Sequence, residues 1–530
     1  MRMELKIGRQ SVMVKENLID KVVSYFDPVK GQQRFQARAM AAIAGGYIGA
    51  SRSRRALSQW TTRVNDADSD TLLDLPTLRS RSRDLIRNAP LASGAINTVC
   101  TNAVGTGLKL QARIDRFALG MDEDEADAWE AATEREWSLF AESQECDAGR
   151  TLNFADMQDL VFRSALESGD VFVLMPHIER PGSPYGLKLQ TIEADRVCNK
   201  DDQRDREGLS GGVEKDRYGA PVAYHILNQH PGSYIRPVKK EWTVVPVFGK
   251  KTGRRNVIHL YQSLRPGQTR GVPYLAPVIE PLKQLDRYTE AELMAAVISG
   301  MFTVFIETAT GDGELGPMSP TGETGGKSTD EDYKLAPGAM IGLAPGESVK
   351  SVDPGRPNAA FDPFVMAILR QIGVALEIPF ELLVKHFTAS YSAARAALLE
   401  AWKFFYTQRK WLSDNFCQPV FEAWLTEAVL SGRVSAPGFF DDPLIRKAYL
   451  GSEWVGPAKG MIDERAEVEA AQMRVDLGVS TLDEETAALT GGNWEQKHQQ
   501  SVKEFRMRLE AGLISDRQPQ QRVQVDRRPD

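Results

Sequence analysis

The sequence contains few cysteines, and their positions argue against two kinds of fold. Only four occur in 530 residues, at Cys100, Cys146, Cys198 and Cys417, and no two of them are close together in the sequence. A disulfide scaffold is typical of short, cysteine-dense chains, and a structural zinc site needs closely spaced pairs. We therefore expect no disulfide framework, no zinc site and a reducing compartment.

The sequence also lacks a long apolar run. No stretch approaches the roughly 20 apolar residues that a membrane-spanning helix requires, and the first residues lack the apolar core and cleavage site of a signal peptide. These absences predict a soluble protein that is cytoplasmic when it is made and has no contact with a membrane.

An excess of positive charge is missing as well. The chain has 65 Lys and Arg residues against 72 Asp and Glu residues, which gives a net charge of −7. A protein that binds nucleic acid mainly by counterion release needs a basic surface. The composition therefore disfavours a simple DNA-binding protein.

The composition that remains is that of an ordinary globular protein. It is 42% hydrophobic and 26% charged, and the length is sufficient for several domains. Residues 77–104 have helical apolar spacing broken at Pro90, which predicts two helices. Residues 170–264 alternate β-branched and aromatic runs with Gly, Pro and Asp turns, which predicts an antiparallel sheet region. The fold class is therefore α+β.

Local capping signals define two of the predicted helices. The acidic cluster Asp122–Asp127 could be a metal site, but acidic residues in a first helical turn complement the helix dipole, and we favour that interpretation. Asn153 is a candidate N-cap and Gly169 a candidate stop for the helix that follows. After residue 392 the pattern predicts a very long helix broken at Pro419.

Three motifs suggest catalysis but do not fit their patterns. The stretch "GETGGKST" ends like a phosphate-binding loop, yet Thr321 stands where that motif requires glycine. The stretch "GLSGG" matches a nucleophile motif around Ser210, but it follows polar sequence instead of a buried strand. The six histidines show no metal-ligand spacing. We expect no catalytic residue, no bound metal and no cofactor, and we keep a cytoplasmic serine hydrolase using Ser210 as the alternative.

The most unusual stretch is a proline-rich helix start. Prolines at 273, 277 and 281 precede a run that predicts a helix from Pro281 to Ser299, because a proline is tolerated only in the first turn of a helix. A strand follows at 301–308, and a second helix is predicted at 362–379, ending before Pro379. The apolar positions of the first helix fall on one stripe, formed by Leu282, Leu285, Leu293, Ala296 and Val297.

Four stretches carry a resemblance to a known family. They are "TRGVPYLAPVIEPLKQLDRYTEAELMAAVISGMFTVFIE", "GVEKDRYGAPVAYHI", "DPFVMAILRQIGVALEIPFELLVKHFTASYSAARAALLEAW" and "VDLGVSTLDEETAALTGGNWE". With them the chain resembles the portal proteins of lambda-like tailed bacteriophages from about residue 72 to 512. The resemblance implies a multi-domain portal fold of wing, stem helices, β clip and helical crown. It also implies a homo-oligomeric ring, usually a dodecamer, at one capsid vertex of the virion.

The resemblance also implies a domain plan. Its parts are an N-terminal arm (1–60), a wing (61–270), stem helix 1 (271–300), a clip (301–357), stem helix 2 (358–378), a tunnel loop (379–392), a long wing helix (393–450), and a helical crown with a disordered tail (451–530). In this plan the apolar stripe of stem helix 1 packs against another stem helix. The clip strands are residues 301–308, 338–343 and 347–352.

Partners and DNA contacts follow from the same resemblance. Such a ring passes double-stranded DNA without reading its sequence, and it meets the terminase large subunit, the major capsid and scaffolding proteins, and the head-tail neck (adaptor) proteins. The resemblance places residues 380–392 at the narrowest part of the channel. We predict that this loop projects freely between Pro379 and a cap at Ser392, and that Lys385 and His386 contact DNA there.

Overall fold

The computed structural model describes residues 2–7, 10–15, 23, 25–30, 33, 48–50, 55–234, 239–300, 304–308, 347–351, 360–387, 390–460 and 463–514. These residues belong to two compact units, Met1–Asp66 and Ala67–Asp530. In the first unit, strands β1 (Arg2–Ile7) and β2 (Gln10–Lys15) form an antiparallel hairpin. The sequence-based plan had assigned this region only as an arm.

The second unit mixes helices and strands, which confirms the α+β class. Its helices are α1 (Ala67–Thr71), α2 (Leu75–Asn88), α3 (Pro90–Ala103), α4 (Arg116–Leu119), α5 (Glu123–Ala141), α6 (Phe154–Ser168), α7 (Ile279–Gly300), α8 (Phe361–Ala375), α9 (Phe380–Val384), α10 (Tyr391–Leu412), α11 (Gln418–Leu430), α12 (Pro443–Tyr449), α13 (Glu464–Asp476), α14 (Leu482–Thr490) and α15 (Trp494–Glu510). Its strands are β3 (Lys109–Ala112), β4 (Asp170–Leu174), β5 (Gln190–Ile192), β6 (Leu209–Ser210), β7 (Val213–Lys215), β8 (Pro221–Leu227), β9 (Trp242–Pro246), β10 (Val257–Tyr261), β11 (Val304–Thr308), β12 (Glu347–Ser351) and β13 (Ser452–Val455).

The capping predictions for α5 and α6 are confirmed. Asp122 caps α5 by accepting a hydrogen bond from the Glu125 N–H, and the Glu125 side chain accepts one from the Asp122 N–H. Asn153 caps α6 by accepting a hydrogen bond from the Asp156 N–H, and Gly169 ends that helix with a φ of 89°. The acidic cluster therefore starts a helix, as a reciprocal capping box does.

The strands between 170 and 261 form two sheets instead of one region. One has the order β10-β4-β5 and the other the order β6-β7-β8-β9, and all their strand pairs are antiparallel. A further antiparallel pair joins β3 to β13, with Ala112 opposite Ser452. The β3–β13 pairing was not predicted, because its two strands are 340 residues apart (452 minus 112).

One large hydrophobic core connects elements from α2 to β13. Trp137 of α5 lies at an aromatic centre of this core, with ring centroids 5.1–5.9 Å from those of Phe154, Phe421, Trp424 and Trp454 in T-shaped contacts. Edge-to-face pairs of this kind add about 0.5–1.5 kcal/mol each beyond simple burial. The helices at 391–430 are therefore fixed against the same core as the strands before them.

The long helix predicted after residue 392 is interrupted before its proline. The helix α10 ends at Leu412, and a π-helical turn, Ser413–Cys417, leads into α11, in which Pro419 lies in the first turn. The Gln418 N–H donates to the Ser413 carbonyl. Since proline has no N–H and its ring crowds the preceding turn, the backbone widens ahead of it. The predicted break at Pro419 is thus a π turn that starts six residues earlier.

Candidate functional site

The helix α7 begins two residues before the predicted start. A short 3-10 turn, Ala276–Val278, leads directly into Ile279, so that Pro281 is the third residue of α7 and not the first. The prediction at Pro281 is therefore wrong by two residues. The physical reason is that the first four N–H groups of a helix have no intrahelical partner, so the missing N–H is tolerated anywhere in the first turn.

The segment that leads into α7 is fixed to the strands by a buried ionic cluster, which we call the Asp170 anchor (Arg79, Asp170, His259, Arg270 and Gly271). The Asp170 carboxylate lies 2.6 Å from Arg79 Nη2 and 2.5 Å from Arg270 Nε. It also accepts hydrogen bonds from the Gly271 N–H at 3.3 Å and from His259 Nε2 at 3.2 Å. Arg79, Asp170 and Arg270 are each at most 4% exposed. Buried charges that are paired in this way hold their elements in one arrangement.

The anchor also changes the protonation of its members. Burial alone raises the pKa of Asp170, but Arg270, Arg79 and the hydrogen bonds lower it more, so the pKa of this carboxyl lies well below its usual range. Burial lowers the pKa of His259, whose ring is stacked between Phe172 and Tyr261 with centroids 4.1 and 4.4 Å away. The anchor therefore contains a carboxylate and a neutral imidazole at neutral pH.

Two glycines allow the anchor to form. A Cβ atom on Gly271 would lie 1.9 Å from the Gly169 carbonyl oxygen, and one on Gly169 would lie 2.5 Å from the Gly271 oxygen. No real Cβ contact is that short, so the two backbone segments approach this closely only because neither residue has a side chain. The sequence analysis identified Gly169 as a helix stop but missed this second role, because its contact is 102 residues away (271 minus 169).

The predicted stripe of α7 divides into a buried half and an exposed half. Leu282 and Leu285 are each 3% exposed and belong to the large core, together with Leu369 and Ile372 of α8. Farther along the helix, Leu293 is 66% exposed, Val297 is 47% exposed, and Ala296 is also exposed. Only the first half of the stripe is therefore buried within one chain. The second half is exposed and is available to contact another molecule.

The helices α7 and α8 contact one another through aromatic side chains. The Tyr288 ring of α7 stacks on Phe361 at 5.5 Å and meets the edge of Phe364 at 5.1 Å. α8 ends at Ala375, earlier than the predicted end just before Pro379, and Glu377 follows with a positive φ of 53°. Strand β11 comes after α7 and pairs with β12, from Val304↔Ser351 to Thr308↔Glu347. The third predicted clip strand, 338–343, lies outside the described residues.

The predicted free loop at 380–392 is partly wrong. Its first five residues form helix α9, in which Leu383 is buried in the large core, and the cap of α10 is Ser390 instead of Ser392. Apolar residues Phe380, Leu382 and Leu383 favour packing over projection. Lys385 ends α9 in the left-handed conformation with a φ of 53°, and both Lys385 and His386 are exposed. The structure thus keeps the two predicted DNA-contacting side chains together on the surface.

The alternative nucleophile Ser210 lies in a β-hairpin. Strand β6 pairs with β7, and the glycines beside Ser210 have positive φ values of 54° and 81°. His225 on the next strand uses both ring nitrogens elsewhere: Nδ1 accepts from the Lys200 N–H at 3.2 Å, and Nε2 lies 2.7 Å from a Glu214 oxygen. Neither of these contacts is with Ser210, to which the base of a serine hydrolase would be hydrogen-bonded. Thr321 and the rest of the phosphate-loop-like stretch lie outside the described residues.

The cysteines, the acidic and histidine side chains and the helices give no further sign of a site within the described ranges. All four cysteines are free, and Cys100, Cys146 and Cys417 are buried. Within the ranges that the structure describes, no group of three or more His, Cys, Asp or Glu side chains is placed to hold a metal ion. None of the helices in those ranges is long and apolar enough to cross a membrane.

Comparison with known proteins gives a consistent family assignment. The sequence profile described as "Phage portal protein, lambda family" matches residues 53–409. Portal protein B of Escherichia phage lambda is 27% identical over 495 residues, covering 89% of this chain and 91% of the relative. The portal protein of Escherichia phage N15 is 26% identical, covering 88% and 90%. A chain from the neck of a native gene transfer agent particle has 15% identity and a TM-score of 0.41, over 78% of this chain and 93% of that one. That score is too low to support a conclusion.

Proposed function

The chain belongs to the lambda family of phage portal proteins, and from this premise we propose that it forms a ring at one vertex of the capsid. Double-stranded DNA is packaged through the central channel of this ring and later leaves by the same route. The observation that carries the proposal is the match of the family profile to residues 53–409, supported by portal relatives that align along about nine tenths of both lengths.

The architecture supports a stem built from α7 and α8. The two helices share the large core at one end, where Leu285 and Ile372 are buried, while Leu293 and Val297 are exposed in the single chain. In a ring of identical subunits, each contact joins one face of a subunit to a different face of its neighbour. The exposed half of the α7 stripe provides such a face, and in this proposal it packs on the neighbouring stem.

The domain plan stays a proposal, and the structure adds contacts that support two of its parts. The wing comprises residues 61–270 with the long helix segment 393–450, and the Asp170 anchor fixes the wing to the start of the stem. The clip contains β11 and β12, which pair within one chain as strands of five residues each. A two-stranded sheet is marginally stable by itself, so we propose that a neighbouring subunit completes it. Residues 451–530 form the crown and tail.

The partners are proposed on the same basis. The clip meets the terminase large subunit during packaging and the neck proteins afterwards, while the major capsid and scaffolding proteins surround the wing during assembly. The protein is made in the host cytoplasm and ends in the virion. It supplies a channel without a catalytic site, so the energy for DNA movement comes from a partner.

Lys385 and His386 are the proposed DNA contacts. Both side chains are exposed beside the end of α9, close in sequence to the second stem helix. Contacts to phosphate are independent of sequence, and a few of them repeated around a ring are weakened by salt. Such contacts hold DNA transiently without stopping its passage.

Negative-stain electron microscopy of the purified full-length chain tests the proposed ring. We expect circular particles with a central hole, and class averages report the number of subunits, for which twelve is the expected value. A uniform population of monomers or dimers at micromolar concentration, at low and moderate salt, would contradict the proposal. The serine hydrolase alternative predicts instead a monomer or small oligomer whose hydrolytic activity is lost in Ser210→Ala.

A further inference from the structure

One end of the four-stranded sheet carries a concentration of positive charge that the net charge of −7 does not suggest. The turn 216–220 joins β7 to β8, and the hairpin 248–255 follows β9, the strand beside β8. The Val247 N–H donates to the Val222 carbonyl, so both loops lie at the same end of the sheet. We call this end the basic-aromatic tip, and its residues are Arg217, Tyr218, Val222, Phe248, Lys250, Lys251 and Arg255.

The charges of the tip are available to a partner. Arg217, Lys250, Lys251 and Arg255 are all exposed, and none of them forms a salt bridge with another residue in the described part of the chain. The nearest acidic residue in sequence, Asp216, uses one carboxylate oxygen to accept the N–H groups of Tyr218 and Ala220, both at 2.8 Å. Its carboxylate therefore orders the turn, and the four cations face solvent.

The tip also exposes apolar surface. Tyr218 is 78% exposed, Val222 is 49% exposed, and Phe248 is 48% exposed. A guanidinium lies over each of the two rings, with Arg217 Cζ 4.6 Å from the Tyr218 centroid and Arg255 Cζ 5.0 Å from the Phe248 centroid. Aromatic residues and arginine are each enriched at protein-protein interfaces, and stacked pairs of them present charge and apolar area together.

Both loops are ordered by their own hydrogen bonds. In the hairpin, the Gly249 N–H donates to the Arg254 carbonyl, the Gly253 N–H donates to the Gly249 carbonyl, and Phe248 bridges to Arg255. Arg254 turns inward and donates to the Met175 carbonyl at 3.0 Å. A surface that is already ordered loses little conformational entropy when a partner binds.

We propose that the basic-aromatic tip binds an acidic segment of a partner protein that also carries an apolar side chain. The four cations match carboxylates, and Tyr218, Val222 and Phe248 match an aromatic or aliphatic side chain. The backbone of duplex DNA presents phosphates to the cations, but it offers no aromatic or aliphatic side chain to the apolar part of the tip. A long polyanion also meets the negative charge of the remaining surface, whereas a short peptide interacts only with the charges within about 10 Å of it at 0.1 M salt. This inference concerns the single chain and does not depend on the proposed channel.

Fluorescence anisotropy with the full-length protein tests the proposal. The probe is a short fluorescein-labelled peptide of aspartate and serine residues with two phenylalanines, and the comparison probes are the same peptide with serine in place of phenylalanine and a short duplex DNA. We expect the phenylalanine peptide to bind at least about fivefold more tightly than either comparison probe, because only that peptide uses both the charge and the apolar area. Equal affinity for the two peptides, or tighter binding of the duplex, would overturn the proposal.

Variants locate the binding surface. Lys250→Glu with Lys251→Glu should weaken binding of the phenylalanine peptide by about tenfold or more, and Tyr218→Ser should weaken it by about threefold while leaving the serine peptide unchanged. The matched control is Lys200→Glu with Lys239→Glu, which makes the same change of charge at exposed lysines outside the tip. All four side chains are exposed, so far-UV circular dichroism should be unchanged. An equal loss in the control pair would show a general charge effect and refute the assignment to the tip.

Discussion

At the scale of single residues, the buried charge of Asp170 connects three distant parts of the chain. Its two arginine partners lie 91 residues before it and 100 residues after it, and all three side chains are almost fully buried. Removing one member of such a cluster leaves its partners charged and buried, which costs more than the cluster contributes when it is complete. The anchor is therefore a sensitive position for mutation.

The variant Asp170→Ala should lower the free energy of unfolding by about 3–5 kcal/mol, since Arg79 and Arg270 then lose their counter-charge in a buried site. Urea unfolding followed by tryptophan fluorescence measures the change. The matched control is Asp286→Ala, which removes an exposed carboxylate 3.0 Å from Lys283 and should change the free energy by less than about 1 kcal/mol. Equal effects of the two substitutions would show that Asp170 is not a stabilising centre.

Glu130 predicts a dependence of stability on pH. Burial raises the pKa of this carboxyl from 4.5 to about 7, although it accepts a hydrogen bond from the Ile114 N–H at 2.7 Å. Because the folded-state pKa is raised, the stabilising contribution of the protonated group is complete below pH 4.5 and is lost as the pH rises through about 7. In Glu130→Gln the amide oxygen keeps the acceptor without the charge.

The difference in melting temperature, Glu130→Gln minus the unchanged protein, should therefore be more positive at pH 8 than at pH 5. Differential scanning fluorimetry at both pH values measures it. Glu123→Gln, at a position that is 76% exposed at its side chain, is the control and should show nearly the same difference at both pH values. A difference for Glu130→Gln that does not change with pH would contradict the assigned pKa.

Lys385 and His386 give a prediction about DNA. The variant Lys385→Glu with His386→Glu should fold and form rings, because both side chains are exposed, but it should reduce the yield of packaged genomes, since acidic side chains repel phosphates. The matched control is Lys497→Glu with His498→Glu, which alters an exposed Lys-His pair on α15. Normal genome yield in the first variant would refute the DNA contact, and loss of its rings would give the segment a structural role.

At the scale of secondary-structure elements, the sequence predicts features whose cause is local. Asp122, Asn153 and Gly169 define helix ends through bonds to residues within four positions. Asn153 and Gly169 were predicted in these roles, and the acidic cluster that begins at Asp122 was predicted to start a helix. The β3–β13 pairing and the Asp170 anchor were missed, because their partners are about 90 to 340 residues away and nothing in one strand specifies its distant neighbour. The loop at 380–392 was misjudged because its apolar residues pack on a core that the local sequence does not show.

The two halves of the α7 stripe predict different outcomes for the same substitution. Leu285→Asp places a charge in the core of the chain and should prevent folding, since an unpaired buried carboxylate costs several kcal/mol. Leu293→Asp changes a side chain that is 66% exposed, so the chain should fold with an unchanged circular dichroism spectrum and fail to form rings. Sedimentation velocity separates the two results.

Lys283→Ala is the control for this pair, because its ammonium lies on the exposed face of α7 and 57% of its side chain is accessible. Its ring yield should match that of the unchanged protein. If Leu293→Asp also gives a normal ring yield, the exposed half of the stripe is not a contact between subunits.

At the scale of the whole molecule, the negative net charge suits a passage for DNA. Each subunit adds a net charge of −7, so an assembled ring repels a polyanion on average, and the few proposed contacts at Lys385 and His386 act against that background. A protein that holds DNA through six to ten phosphate contacts loses about 10³–10⁵ in affinity between 50 and 200 mM salt. In a channel that releases DNA at every step, the affinity for DNA should depend much less on salt concentration.

We therefore predict that purified rings bind a fluorescent DNA duplex weakly and that the affinity falls by less than about tenfold between 50 and 200 mM salt. Anisotropy titrations at several salt concentrations measure the slope. The variant Lys385→Glu with His386→Glu should make the slope shallower still. A steep slope of affinity against salt concentration in the unchanged ring is typical of many phosphate contacts. It would contradict a channel that binds DNA only weakly.

The pairing of β3 with β13 has a kinetic consequence. A ribosome that adds about 5–20 residues per second needs roughly 17–70 s to proceed from Ala112 to Ser452. Throughout that interval β3 lacks its partner strand β13, and for most of it the core side chains of α11 have not yet been made. Non-local contacts of this length slow folding and leave apolar surface open to aggregation. The part of the core around β3 is therefore completed only after about six sevenths of the chain has been synthesised.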